Sequence, residues 1–141
     1  MGSDETEWSG GCACGTVRWT HPGPKTRNLL CHCDECRRGV AAGYTAVLGL
    51  PVKGLVLKGT WQDYRYTPES SRGFCPACGT RLWFRSDLWP DEVFMNIGTL
   101  DDPARYVPDR HVVTGERVCW APVPAGSEMH EGFSVAPGET P

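Results

Sequence analysis

Cysteine spacing is the feature that most restricts how this chain can fold. Seven of its eight cysteines fall into three short groups, which are Cys12 and Cys14, then Cys31, Cys33 and Cys36, and finally Cys75 and Cys78. Sulfurs that lie this close on one loop can converge on a single metal ion. Four thiolates in a tetrahedron suit zinc, and iron is the alternative because iron–sulfur clusters also use thiolates. The spacing therefore predicts a small fold built around zinc-binding loops.

A disulfide scaffold is the competing interpretation of eight cysteines. Residues 1–10 are polar and acidic, without the apolar run that a signal peptide carries. No stretch approaches the roughly 18 apolar residues that a membrane span needs. We therefore expect a cytoplasmic location and no membrane association. A reducing compartment disfavours disulfides and leaves the thiols free to bind metal.

Composition favours a mainly β fold in one domain of 141 residues. Glycine and proline number 17 and 12, which is typical of many short strands joined by turns. Residues 55–58 and 61–66 are β-prone runs on either side of Gly59 and Thr60, and this pattern predicts a hairpin. One short helix is expected from Cys33 to about Ala42. We assign residues 8–123 to the metal-binding domain and 124–141 to a mobile tail or an arm draped on the surface.

The cysteine groups can be divided between two metal sites. Cys75 and Cys78, followed by a glycine, form half of a zinc ribbon, and either of the other groups could supply the other half. Counting favours Cys12 and Cys14, because two pairs complete one tetrahedral structural site. That choice leaves Cys31, Cys33 and Cys36 as a separate triad with an open coordination position, which is the mark of a reactive zinc site.

Three thiolates limit the chemistry of the triad. They outweigh the charge of a zinc ion, so the site is a weak Lewis acid that is better suited to holding a substrate thiol as a thiolate. Arg37 and Arg38 follow at once and are candidate substrate-binding residues, either offsetting this charge or gripping carboxylates. The competing interpretation is that both are solvated surface arginines.

The remaining candidate residues receive simpler assignments. His32 lies between two ligands in an extended loop, so its side chain is expected to point away from the metal. His111 is expected to be an ordinary histidine on a strand, and Cys119 an ordinary buried cysteine. Most of the six tryptophans and four tyrosines are expected in the core.

The motifs resemble those of the glutathione-dependent formaldehyde-activating enzymes, a family that is also grouped with centromere protein V. The resemblance rests on three runs, which are Gly-Gly-Cys-x-Cys-Gly-x-Val-Arg at 10–18, Cys-His-Cys-x-x-Cys-Arg at 31–37 and Arg-x-Phe-Cys-x-x-Cys-Gly-Thr-x-Leu at 72–82. It implies small twisted antiparallel sheets around zinc knuckles, a fold shared with methionine-R-sulfoxide reductases and a zinc-binding accessory protein of Rab GTPases. It also implies two zincs per chain, on the same two cysteine sets that counting favours.

The activity that this resemblance implies is a carbon–sulfur lyase reaction, in which glutathione adds to formaldehyde to give S-hydroxymethylglutathione. Another thiol or another small aldehyde is an open alternative, and so is a zinc module that binds a thiol or a protein without turnover. A redox enzyme would need a free nucleophile, and only Cys119 is spare. Nucleic acid is not an expected partner, because the net charge is −3 and no basic stripe is present.

Overall fold

Short strands joined by turns dominate the chain, as its glycine and proline content predicts. The computed structural model describes residues 7–139. Its regular elements are β1 (Trp8–Gly11), β2 (Arg18–His21), β3 (Asn28–Cys31), α1 (Asp34–Val40), β4 (Thr45–Pro51), β5 (Val56–Lys58), β6 (Gln62–Arg65), β7 (Ser70–Phe74), β8 (Arg81–Ser86), β9 (Glu92–Asn96) and β10 (Arg110–Val112). Single 3₁₀ turns lie at Ile97–Thr99, Pro103–Arg105 and Thr114–Glu116. The mainly β prediction is confirmed.

The strands form two sheets of unequal size. The small sheet has the order β1-β2-β5, and the large sheet has the order β10-β3-β4-β9-β8-β7-β6. The paired strands are antiparallel except for β10, which runs parallel to β3. Parallel neighbours need a long connection, and here most of the chain lies between the two strands. The large sheet is therefore mixed, where an antiparallel sheet was expected.

The predicted hairpin of residues 55–58 and 61–66 is wrong. β5 pairs with β2 in the small sheet, whereas β6 pairs with β7 at the edge of the large sheet. Between them, Gly59 adopts a φ of +99°, and a Cβ there would lie 2.0 Å from the carbonyl oxygen of Thr16. Glycine is needed at this close approach, where the chain passes from one sheet to the other. A local turn signal shows that the chain turns, but it does not specify which strand each run joins.

The main core lies between the small sheet and one face of the large sheet. It consists of Trp8, Cys12, Val17, Trp19, Leu48, Leu50, Cys75, Leu82, Trp83, Val93, Met95 and Leu100. A second apolar group of Leu29, Val47, Phe94 and Val112 is separate from it. Because neighbouring strand residues point to opposite faces, Val47 and Leu48 supply different clusters, as do Val93 and Phe94. The second group lines the other face of the large sheet.

Helix α1 lies within the segment predicted to be helical, Cys33 to about Ala42, but is shorter, at seven residues. Cys33 is its N-cap, and the Cys33 Sγ accepts a hydrogen bond of 3.3 Å from the Cys36 backbone N–H. Acidic residues occupy the first turn and Arg37 and Arg38 the last, so the charges complement the helix dipole. The helix ends at Ala41, which adopts a left-handed conformation with φ of 56°.

The segment of residues 124–139 packs along the large sheet. The His130 backbone N–H donates to the His111 carbonyl at 2.9 Å, and Met129 forms a bridge with the same residue. Further on, the Gly138 N–H donates to the Leu88 carbonyl at 2.7 Å. The division of the chain at residue 123 stays a prediction. Across residues 7–139, no helix combines the length and apolar character that a membrane crossing requires.

Candidate metal centres and the adjoining cavity

Cys12, Cys14, Cys75 and Cys78 meet where the two sheets approach each other. Their sulfurs all lie within 4.8 Å of one another. The Cys14 Sγ is 3.6 Å from that of Cys12 and 3.8 Å from that of Cys75. Zinc–sulfur bonds of about 2.3 Å in a tetrahedron require sulfur–sulfur edges of about 3.8 Å. The four sulfurs therefore fit a zinc ion, and these distances are far too long for disulfides.

The two halves of this cluster are built alike. In each, a Cys-Gly-Thr sequence ends the turn, and the glycines Gly15 and Gly79 have φ of +80° and +79°. A left-handed residue after the second cysteine turns the chain back toward the sulfurs, and glycine adopts it at low cost. The Thr80 hydroxyl lies 3.1 Å from the Cys78 Sγ and, with the Thr80 backbone, lowers the pKa of Cys78 to about 5. The turn therefore favours the thiolate that a metal needs.

Cys31, Cys33 and Cys36 form a second cluster at the start of α1. Their sulfurs also lie within 4.8 Å of one another. Hydrogen bonds from the Cys31 and Cys33 thiols, and then the charge of Arg72, hold the pKa of Cys36 well below that of an ordinary thiol. Three sulfurs on one turn fit zinc with one position left for another ligand. In residues 7–139 no histidine or carboxylate joins this cluster.

Arg72 on β7 is the cation nearest to the triad. Its guanidinium Nη2 lies 3.7 Å from the Cys36 Sγ and 3.6 Å from a Glu35 carboxylate oxygen, and its side chain is 2% exposed. The guanidinium also stacks between the rings of Tyr66 and Phe84. A Cβ at Gly39 would lie 2.9 Å from the guanidinium carbon, so this glycine in α1 makes room for it. Sequence reasoning missed Arg72, although an arginine set among small residues in a strand is a usable signal.

A cavity of about 550 Å³ opens beside the triad on the second face of the large sheet. The sulfurs of the triad lie at its wall. Its apolar lining consists of Leu29, Val47, Phe84, Leu88, Trp89, Phe94, Val112, Val113 and Phe133. α1 borders the cavity on one side, and Gly132 to Ser134 of the C-terminal segment border it on another. No pattern in the sequence indicates this cavity, because its walls come from distant parts of the chain.

Arg37 and Arg38 do not line the cavity. Both pair with Asp34 on the same helix, at 3.3 Å and 3.0 Å, and Arg38 is 77% exposed. The cations that line the cavity are instead Arg27 and Arg72. A substrate-binding role for the two helix arginines stays a prediction that the structure leaves without a contact to the cavity.

His32 and His111 form a buried pair behind the triad. The His32 Nε2 lies 2.8 Å from the His111 Nδ1, and the His32 Nδ1 has no partner. One ring donates this hydrogen bond and the other accepts it, since a neutral imidazole has one donor and one acceptor nitrogen. Burial, and then the charges of His111 and Arg117, lower the pKa of His32 to about 4. His32 is thus outside the sulfur cluster but not on the surface, and it anchors the cysteine loop to β10.

Two other expectations need correction. Cys119 is exposed, not buried. Trp120 beside it is 69% exposed. Most tryptophans and tyrosines were expected in the core, but only Trp8, Trp19, Trp83 and Trp89 are buried, whereas Trp61 and Tyr64 are exposed and the other three tyrosines are half-buried. Pro-rich sequence follows Trp120, and the chain there lies on the surface. Within residues 7–139, Cys119 belongs to neither sulfur cluster.

Comparison with solved structures shows the fold. A crystal structure of a Rhodobacter sphaeroides protein from a structural genomics programme is 22% identical, with a TM-score of 0.57 over 71% of this chain and 97% of that chain. No curated protein matches the chain.

The family follows from the sequence match. The model of the glutathione-dependent formaldehyde-activating enzyme family matches residues 7–116, which include both cysteine clusters. The residues beyond 116, among them the cavity wall at Phe133, lie outside this match. The match covers well over half of the chain and agrees with the cysteine geometry. The chain belongs to the glutathione-dependent formaldehyde-activating enzyme family.

Proposed function

We propose that this protein is a zinc-dependent carbon–sulfur lyase that adds a thiol to a small aldehyde such as formaldehyde. The observation that supports it is the triad of Cys31, Cys33 and Cys36, whose sulfurs converge at the wall of a cavity large enough for a substrate. The family's own thiol is glutathione, by its name. In the reaction the thiol sulfur forms a bond to the carbonyl carbon, the C=O π electrons move to oxygen, and the thiol proton ends on that oxygen.

The triad is the proposed catalytic site. A zinc ion held by three thiolates supplies an open position for a substrate thiol and favours its thiolate form. The chain's own residues supply the setting. Arg72 offsets part of the thiolate charge from 3.7 Å, and the cavity removes the reactants from bulk water. Holding both reactants beside each other lowers the entropic part of the barrier.

The cluster of Cys12, Cys14, Cys75 and Cys78 is the proposed structural site. All four positions of a tetrahedron are filled by protein sulfurs, so no position remains for a substrate. The proposal therefore includes two zincs per chain with different roles. Because both sites need thiolates, and because all eight cysteines are free, we place the protein in the reducing cytoplasm. Its proposed partners are small molecules and not nucleic acid, since its net charge is −3.

The experiment is exchange NMR on mixtures of glutathione and formaldehyde, which resolves hemithioacetal exchange even though the uncatalysed reaction is fast. We expect the zinc-loaded protein to accelerate exchange. The control is Cys33→Ser, since serine keeps the N-cap acceptor of α1 but removes one zinc ligand. Acceleration that survives in this variant, or none with any of several thiols and aldehydes, would contradict the proposal. Saturable thiol binding without acceleration would favour a thiol-binding module.

A further inference from the structure

The cavity beside the triad is far larger than formaldehyde requires. Formaldehyde has two heavy atoms, and a water molecule, with one, takes up about 30 Å³ in the liquid. Most of the volume of about 550 Å³ is therefore left for the second reactant. If the thiol sulfur binds at the triad, the rest of the thiol molecule extends into this space. The lining of the cavity then determines which thiols fit.

The lining does not suit the charges of glutathione, which carries two carboxylates and one ammonium group. Among the described residues, the charged residues that line the cavity are Asp34, Glu35, Glu69, Glu116, Arg27 and Arg72, and the Asp34 carboxylate already pairs with Arg37 and Arg38 outside it. Both guanidinium groups have carboxylate partners, although the Arg72 Nε–H is buried and has no hydrogen-bond partner among residues 7–139. Arg27 forms an ion pair of 2.8 Å with Glu92, and both side chains are buried. Arg72 lies between Glu35 and the Cys36 sulfur. A substrate with two carboxylates would lose water around both, and only the Arg72 guanidinium, which already pairs with Glu35, has an N–H left among the described residues to compensate.

The hydroxyl side chains of Thr45, Thr67, Ser70, Ser86 and Ser134 also belong to the lining, but most of the surface of the cavity is apolar. Phe84 and Phe94 pack together with ring centroids 5.9 Å apart, on the floor formed by the large sheet. Phe133 meets Trp89 edge to face, with ring centroids 4.9 Å apart, and this pair forms another part of the cavity wall. The Trp89 indole N–H already donates to the Ala136 carbonyl at 3.2 Å, so it does not need a hydrogen bond from a substrate. Transfer of an apolar substituent from water to this apolar surface is favourable, so the surface favours thiols that carry such a substituent.

We infer that the thiol taken by this protein is an uncharged, apolar one with an aromatic or branched substituent, which the wall of Phe133 and Trp89 selects over glutathione. This inference rests on the proposed function for the role of the triad. Phe133 lies beyond residues 7–116, the part that matches the family model. Phe133 of the C-terminal segment therefore completes the wall, whereas Trp89 and the triad lie within the part that matches the family model.

Thiol binding to the zinc-loaded full chain, measured by isothermal titration calorimetry, tests the inference. The probes are benzyl mercaptan, glutathione and 2-mercaptoethanol, the last of which is uncharged but has no aromatic or branched substituent. We expect benzyl mercaptan to bind at least about tenfold more tightly than either of the others, from burial of its ring. Glutathione binding as tightly as benzyl mercaptan overturns the inference.

A pair of variants ties the preference to the wall. Phe133→Arg adds a cation at the cavity and should weaken benzyl mercaptan binding and strengthen glutathione binding. Val107→Arg adds the same charge at a residue that is 66% exposed and away from the cavity, so it should change neither. Equal effects of the two variants, or none from Phe133→Arg, overturn the inference.

The two proposals can fail separately. Selective binding of benzyl mercaptan without faster hemithioacetal exchange supports the substrate class and contradicts the lyase activity. Faster exchange with glutathione, with no preference for benzyl mercaptan, supports the lyase activity and overturns the substrate class. Absence of binding by all three thiols contradicts both.

Discussion

At the scale of single residues, Arg72 shows how charge is arranged around the triad. Three thiolates near a divalent ion leave a net negative site, and a buried guanidinium 3.7 Å from one sulfur reduces that excess. The pair of aromatic rings on either side fixes the guanidinium in place. A residue that holds the charge and orientation of metal ligands affects metal affinity without touching the metal.

Replacing Arg72 with methionine should weaken zinc binding by the triad. The change keeps an unbranched apolar side chain but removes the charge, and we expect a loss of roughly 10–100-fold in affinity. Both proteins are incubated with increasing chelator concentrations, and zinc per chain is measured by elemental analysis. The variant should fall from two zincs per chain to one at a lower chelator concentration than the parent protein. The matched control is Arg85→Met, an exposed arginine on β8. Equal zinc retention in both variants would contradict a role for the Arg72 charge.

His111 should make stability depend on pH. It is 4% exposed and lies against His32, with the Tyr44 ring edge-on and the charge of Arg117 nearby. Burial, and then Arg117, lower its pKa in the folded protein below the ordinary 6.5. Below pH 6.5 the unfolded chain therefore binds more protons at this residue than the folded one, so stability falls as the pH decreases.

Urea unfolding of zinc-loaded protein between pH 7.5 and 5.5 measures this effect. The free energy of unfolding should decrease with falling pH, and His111→Gln should make the decrease shallower. Some slope remains in that variant because His32, with a folded pKa of about 4, still titrates. Metal loss at low pH is common to both proteins and cancels in the comparison. Identical slopes would show that His111 does not contribute.

At the scale of elements, α1 begins within the triad, and its two ends differ in how well their backbone conformation suits the residues there. The start is well capped, since the Cys33 sulfur accepts the Cys36 N–H and acidic residues fill the first turn. The end is strained, because Ala41 has a φ of 56° where glycine is the usual residue. For a residue with a Cβ, this left-handed conformation costs about 1–2 kcal/mol.

Ala41→Gly should therefore stabilise the protein. Part of the relief is offset because glycine loses more backbone entropy on folding, so we expect a gain of roughly 0.5–1 kcal/mol. Ala42→Gly is the control, since Ala42 does not have a positive φ and should be neutral or slightly destabilised. Chemical denaturation of both variants against the parent measures the difference. A destabilised Ala41→Gly variant would mean that the helix end is not strained.

The helix and the hairpin show what sequence can and cannot specify about elements. Helix formation depends mainly on neighbouring residues, so the segment 33–42 was sufficient to place α1. Strand pairing is not local, and the runs at 55–58 and 61–66 joined different sheets although one glycine turn separates them. The same limit applies to the site. Cysteine spacing predicted both sulfur clusters, whereas Arg27, Arg72, Trp89 and Phe133 meet at the cavity only through the sheet order.

At the scale of the whole molecule, the four-cysteine cluster joins the two sheets. Cys12 and Cys14 lie between the two strands β1 and β2 of the small sheet, and Cys75 and Cys78 lie between β7 and β8 of the large one. A zinc ion there would cross-link positions 61 residues apart, between Cys14 and Cys75. The triad spans only residues 31–36. Closing a long loop removes much more chain entropy from the unfolded state than closing a short one.

Two cysteine-to-serine variants should therefore behave differently. Cys14→Ser removes a ligand at an exposed position and should lower the free energy of unfolding by several kcal/mol, because zinc-binding energy at such sites is folding energy. Cys33→Ser should also lower zinc content by one per chain but cost only about 1 kcal/mol or less, since serine preserves the helix cap. Elemental analysis with thermal unfolding measures both quantities. If both variants lost one zinc and the same stability, the two clusters would not divide into a structural and a reactive site. The result expected here, equal zinc loss with unequal stability loss, separates the metal that holds the sheets together from the metal that faces the cavity.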